Sequence, residues 1–114
     1  MKNKLGNEQR LRHILSAIEE IESYTYGVQK DEFLQNSMMR FASVKQLEII
    51  GEACNHLSEE LKQKSPNVQW NEIIGMRHVF VHEYFGIDNY LLWEIITTDL
   101  LEFKNSVIKL LSDF

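Results

Sequence analysis

One proline, Pro66, and five glycines are spread through 114 residues, and this scarcity of chain-breakers restricts the fold more than any other feature. Proline lacks a backbone donor, and glycine costs about 1 kcal/mol against alanine inside a helix. So few of either favours long helices over a strand-and-turn fold. Leu11, Ile14, Leu15, Ile18 and Ile21 recur at helical spacing, with Glu19, Glu20 and Glu22 on the other side. They predict a helix from about Glu8 to Thr25, stopped near Gly27. Asp31 is the expected N-cap of a short helix carrying Phe33 and Leu34. From Ser37 to Lys64 the pattern predicts one long helix, with Phe41, Val44, Leu47, Ile50, Cys54, Leu57 and Leu61 nearly in one row. Gly51 interrupts that row, and its expected role is to let a neighbouring helix come close. Ser65-Pro66-Asn67 breaks the chain. A third long helix is predicted from about Trp70 to Glu83, ended by Gly86, and a last one from about Asn89 to Leu111, capped by Asp88. The last segment holds more apolar residues than one stripe needs, so part of its surface is expected to meet a second subunit. The expected fold is all-α, an antiparallel bundle of about four long helices with one short extra helix, in a single domain over residues 1–114.

Composition narrows the class of function. Hydrophobic residues make up 44% and charged residues 25%, the mix of an ordinary globular domain. The single cysteine, Cys54, has no internal disulfide partner and suits a reducing compartment. Neither a signal peptide nor a membrane-spanning stretch is readable, so the expectation is a cytoplasmic protein with no membrane contact. The net charge of -5 counts against affinity gained by blanketing a nucleic-acid backbone with Lys and Arg. It leaves room for an enzyme that meets RNA through a small local patch, built from few cations or pooled from two subunits.

The segment Arg77-His78-Val79-Phe80-Val81-His82-Glu83-Tyr84 carries the chemistry. RNA can be cleaved by its own 2'-hydroxyl attacking the adjacent phosphate. The protein must then move protons and stabilise charge on the phosphoryl oxygens. His82 fits the first task and Arg77 the second, while His78 could donate to phosphate or stack on a base. Read structurally instead, Arg77 is half of a surface ion pair, for instance with Glu72 or Glu83, and His82 is a half-buried histidine near a helix end. Five helical positions separate the pair by about 140°. Either the helix distorts near His82, or Arg77 reaches round it, or each group works with its counterpart in a second copy. His78 and His82, four apart, also have the spacing of two metal ligands, but His13, His56, Cys54 and Glu83 are too scattered to supply a third. No phosphate-binding glycine loop is present, and no cofactor is expected.

Several segments together resemble the HepT-like toxins of the HEPN superfamily, the ribonuclease half of the HepT–MntA toxin–antitoxin pairs. They are Leu11-Arg12-His13-Ile14-Leu15, Tyr24-Thr25-Tyr26-Gly27, Ile49-Ile50-Gly51-Glu52-Ala53, Leu57-Ser58-Glu59-Glu60-Leu61, Gly75-Met76-Arg77 and Tyr84-Phe85-Gly86-Ile87-Asp88, followed by Leu92-Trp93-Glu94-Ile95-Ile96. The resemblance implies a HEPN bundle that forms a homodimer, with Arg and His from both copies lining one RNA-cleaving cleft. It makes Arg77 and His82 the catalytic pair of an endoribonuclease that needs no metal. His78 takes the polar position that is often Asn in relatives. Tyr84 matches the tyrosine modified with AMP by an MntA-like minimal nucleotidyltransferase antitoxin, as in a type VII toxin–antitoxin system. An added nucleotide there would bring negative charge and bulk beside cations meant for RNA. Lys45 stands where relatives frequently have Arg. The other reading of the same motif is a non-catalytic module that docks a nucleotidyltransferase or binds a nucleotide.

Overall fold

The computed structural model describes residues 2–82 and 86–114, and side chains within 6–80 and 86–114. Helix α1 spans Lys2–Thr25. Leu11, Ile14, Ile18 and Ile21 are fully buried on it, and Gly27, at φ 71°, turns the chain out of the helix. Helix α2 spans Lys30–Gln35 and is capped by Gln29, not Asp31. Gln29 has the extended backbone of a cap, and its N–H donates to the Glu32 carboxylate. Asp31 instead falls in the first turn, where a carboxylate faces the positive end of the helix dipole. Phe33 anchors α2 by packing on Trp93 with ring centroids 5.0 Å apart.

The helix predicted from Ser37 to Lys64 is two helices. Helix α3 spans Ser37–Asn55, with Asn36 Oδ1 accepting from Met39 N at its start. Helix α4, Glu59–Lys62, begins afresh at Ser58. A long-range contact causes the break. Ser58 N donates to Asn7 Oδ1 of α1, and Asn7 Nδ2 donates to Ser58 Oγ. The Ser58 N–H is thereby taken from the helical ladder, while its hydroxyl accepts from Leu61 N and caps α4. Leu57 and Leu61 remain buried on either side of the break, so the apolar row survives it.

Helix α5 spans Trp70–His82. Helix α6, Asn89–Glu94, is capped by Asp88, whose carboxylate accepts from Tyr90 N and Leu91 N. It runs through a π turn at Ile95–Asp99 into α7, Leu100–Leu111. The predicted last helix is therefore continuous, with one wider turn closed by Leu100 N donating to Ile95 O. That turn slows the angular drift of residues spaced four apart and keeps Leu92, Ile96 and Leu100 buried in line. Helix α3 packs between α1 and α5, and α7 packs on the other flank of α1. Trp70 meets Phe103 edge-on at 5.9 Å, tying the start of α5 to α7. The all-α fold matches the expectation, with two short helices in place of one and no strand among the described residues. Nor, among those residues, is any helix long and apolar enough to cross a membrane.

Candidate functional site

The site is built where α3 and α5 come closest. Trp70 fixes the start of α5: its indole Nε1 donates to Lys62 O and Ser65 O, both at 3.1 Å. Two turns on, Arg77 lies directly over Gly51. A Cβ placed on Gly51 would stand 2.8 Å from Arg77 Cβ and 3.2 Å from Ile73 O. The glycine is therefore a point of close approach, as its position in the row predicted.

Arg77 pairs with Glu52, the residue after that glycine. Arg77 Nε lies 2.6 Å from Glu52 Oε2, and His56 Nε2 lies 2.9 Å from the other oxygen, Oε1. One carboxylate thus links a guanidinium and an imidazole. The expected ion pair of Arg77 is present but with a different partner. Glu72 shares helix α5 at five positions' remove, a spacing that points two side chains to different faces, and Glu83 is outside the described residues. Both Arg77 and Glu52 keep close to half of their side-chain surface exposed, so the pair is worth at most about 1 kcal/mol. An incoming phosphate can compete for that guanidinium.

His78 is exposed on α5. The backbone of α5 stays α-helical as far as His82, so the two motif positions remain about 140° apart around the axis. No distortion before His82 brings them together. The His82 side chain and Tyr84 lie outside the described residues.

Arg77 borders a cleft of about 410 Å³ that crosses α3 to reach α1. Helix α1 contributes Arg10 and His13, and α3 contributes Lys45, Glu48 and Glu52. His56, just past the end of α3, is held there by its hydrogen bond with Glu52 and by Arg10 Nη1, which donates to His56 O at 3.0 Å. A larger cavity of about 680 Å³ lies between α5 and the last helix. It carries Glu72, Asp99 and Glu102 and no lysine or arginine, the wrong sign for phosphate. Cys54 is fully buried, and burial pushes its thiol up to about 12, which makes it inert as a nucleophile. Among the described residues no group of three or more His, Cys, Asp and Glu could hold a metal ion.

Reasoning from sequence missed Glu52 and the α1 side of this cleft. Sequence spacing raises His13 and His56 only as metal ligands. The available signal was Gly51: a close-approach glycine marks the face of α3 turned toward another helix, and Glu52 adjoins it.

Comparison with known proteins gives the family. The sequence pattern of the family described as Ribonuclease HepT-like matches residues 14–110. "Putative RNase MJ1380" of Methanocaldococcus jannaschii is 39% identical over 85% of this chain and 89% of its own length. "Putative RNase TTE0752" of Caldanaerobacter subterraneus is 37% identical over 89% of this chain and 90% of its own. "Probable ribonuclease HepT" of Thermococcus cleftensis is 35% identical over 94% of this chain and 97% of its own. No solved structure matches the chain. A family match over most of the sequence, with relatives above 30% identity aligned nearly end to end, establishes that this chain belongs to the Ribonuclease HepT-like family.

Proposed function

We propose that this chain is a metal-independent endoribonuclease acting as the toxin of a type VII toxin–antitoxin pair. The observation that carries the reading is Arg77, a half-exposed guanidinium over Gly51 at the edge of a cation-rich cleft, in a member of a ribonuclease family. In this mechanism an imidazole takes the proton from the RNA 2'-hydroxyl. The oxygen bonds to the adjacent phosphorus, the P–O5' bond breaks, and the departing oxygen takes up a proton. The products are a 2',3'-cyclic phosphate and a 5'-hydroxyl. His82 is the proton-transfer group and Arg77 stabilises charge on the phosphoryl oxygens. His78, exposed one position after Arg77, supports the RNA. Two copies supply the complete site as a homodimer, which reconciles the angular separation of Arg77 and His82. Tyr84 is the site at which a partner nucleotidyltransferase adds AMP, placing a phosphodiester charge within two residues of His82.

The test is cleavage of RNA by purified protein in EDTA. His82→Ala is expected to lower the rate by about 10²–10⁴-fold while leaving the helical circular-dichroism spectrum unchanged. Undiminished cleavage by that variant removes His82 from the mechanism, and cleavage lost only in chelator points to a metal held by His78 and His82. For the partner, nucleotidyltransferase plus ATP is expected to add the mass of AMP to the wild type and not to Tyr84→Phe. An equal gain in both would move the modification elsewhere.

A further inference from the structure

We propose that the cleft running from Arg77 across α3 to α1 is a backbone subsite, seating a phosphate of single-stranded RNA next to the one that is cut. The proposal rests on the endoribonuclease reading for its ligand and on the cleft itself for its location. Three permanent cations, Arg10, Lys45 and Arg77, and two imidazoles, His13 and His56, face only two carboxylates there. The surplus is positive in a chain whose net charge is -5.

Both carboxylates are already engaged. Glu52 is divided between Arg77 and His56, and Glu48 lies 3.7 Å from Lys45. His13 is exposed and makes no hydrogen bond or ion pair among the described residues, and Lys45 keeps 69% of its side chain in solvent. These two are therefore open to an anion without breaking a buried contact. Arg10 is less free, since it secures the His56 carbonyl. Exposed Ile49 and half-buried Ala53 also border the cleft, an apolar strip on which a sugar or base edge can rest. A single chain of phosphates is the ligand that suits cations spread over three helices around one exposed guanidinium.

The experiment measures binding of a ten-nucleotide RNA by fluorescence anisotropy, across a salt series and under conditions without turnover. Lys45→Ala and His13→Gln are each expected to weaken binding by about threefold to tenfold, and Lys45→Ala to lower the salt slope by about 0.7, the loss of one single-strand phosphate contact. Glu48→Gln is expected to tighten binding, an opposite sign that general loss of structure would not produce. Lys109→Ala, exposed on α7 and not among the residues that line the cleft, removes the same charge and serves as the reference. Lys45→Ala matching Lys109→Ala overturns the subsite, even if RNA is cleaved normally. Weakened binding of ATP by Lys45→Ala with RNA binding intact also overturns it, since the cleft would then hold free nucleotide. RNA bound through Lys45 and His13 but never cut would instead sink the nuclease reading and leave the cleft standing as a site for an RNA backbone phosphate alone.

Discussion

Cys54 shows how burial alone decides the chemistry of a side chain. It is fully enclosed on the inner row of α3, and its thiol is pushed up to about 12 by desolvation, with Lys62 pulling weakly the other way. The folded protein therefore holds that proton at pH values where the unfolded chain has released it. Stability from this group is complete below about pH 9 and is lost as pH rises toward 12, at about 1.4 kcal/mol per pH unit. Denaturation of wild type and Cys54→Ala across that range checks it. The wild type is expected to lose stability faster than the variant, and parallel curves would mean the thiol is not so deeply desolvated. A thiol reagent should likewise leave folded Cys54 unmodified. At the residue scale the apolar row places Cys54 among buried Val44, Leu47, Ile50, Leu57 and Leu61, although Phe41 at the head of the same row is exposed, so the period marks a face and packing decides burial.

At the scale of elements, the contact between α3 and α5 sets the position of Arg77. Gly51→Ala adds one methyl group 2.8 Å from Arg77 Cβ, and that neighbour is fixed to its backbone and cannot swing away. Alanine would favour the helix by about 1 kcal/mol, but overpacking a tight crossing costs about 1–3 kcal/mol. The expected result is a net loss of stability in thermal unfolding together with slower RNA cleavage, since Arg77 moves with α5. A more stable variant of full activity would show that the crossing has slack. Several helix ends written in local chemistry were legible in the sequence: Gly27 at positive φ, Asp88 as a cap, Trp70 at the start of α5. The cap of α2 was not, since Gln29 takes the place expected of Asp31, and two larger features were also missed. The break before α4 depends on Asn7 and Ser58, 51 residues apart, and the π turn depends on keeping Leu92, Ile96 and Leu100 against the core. The π turn leaves no local mark in its residues, whereas Ser58 with Glu59 and Glu60 does carry a helix-start signal, masked by the apolar row that runs through it.

For the molecule as a whole, the proposed site asks Arg77 and His82 to serve one phosphate from different faces of α5. The motif itself was plain in the sequence, but its spacing was at odds with a site on one helix face, and the α-helical backbone of α5 as far as His82 keeps that conflict. Exposed apolar residues remain on α5 and on the last helix, among them Val79, Leu91, Leu101 and Ile108, surface of the kind that a second copy can cover. In a two-fold dimer whose sites each take Arg77 from one copy and His82 from the other, defects on different chains complement. Arg77→Ala mixed with His82→Ala gives mixed dimers in which one site loses both groups and the other retains both. With random exchange of equal amounts, half of the dimers are mixed and half of their sites are intact, so recovery to about a quarter of wild-type activity is expected from two inactive proteins. The measurement is RNA cleavage before and after the two variants are unfolded and refolded together. Recovery requires a shared site, because no chain in the mixture carries both groups. No recovery, with mixed dimers demonstrated by mass, would rule out sites that each pair Arg77 of one copy with His82 of the other.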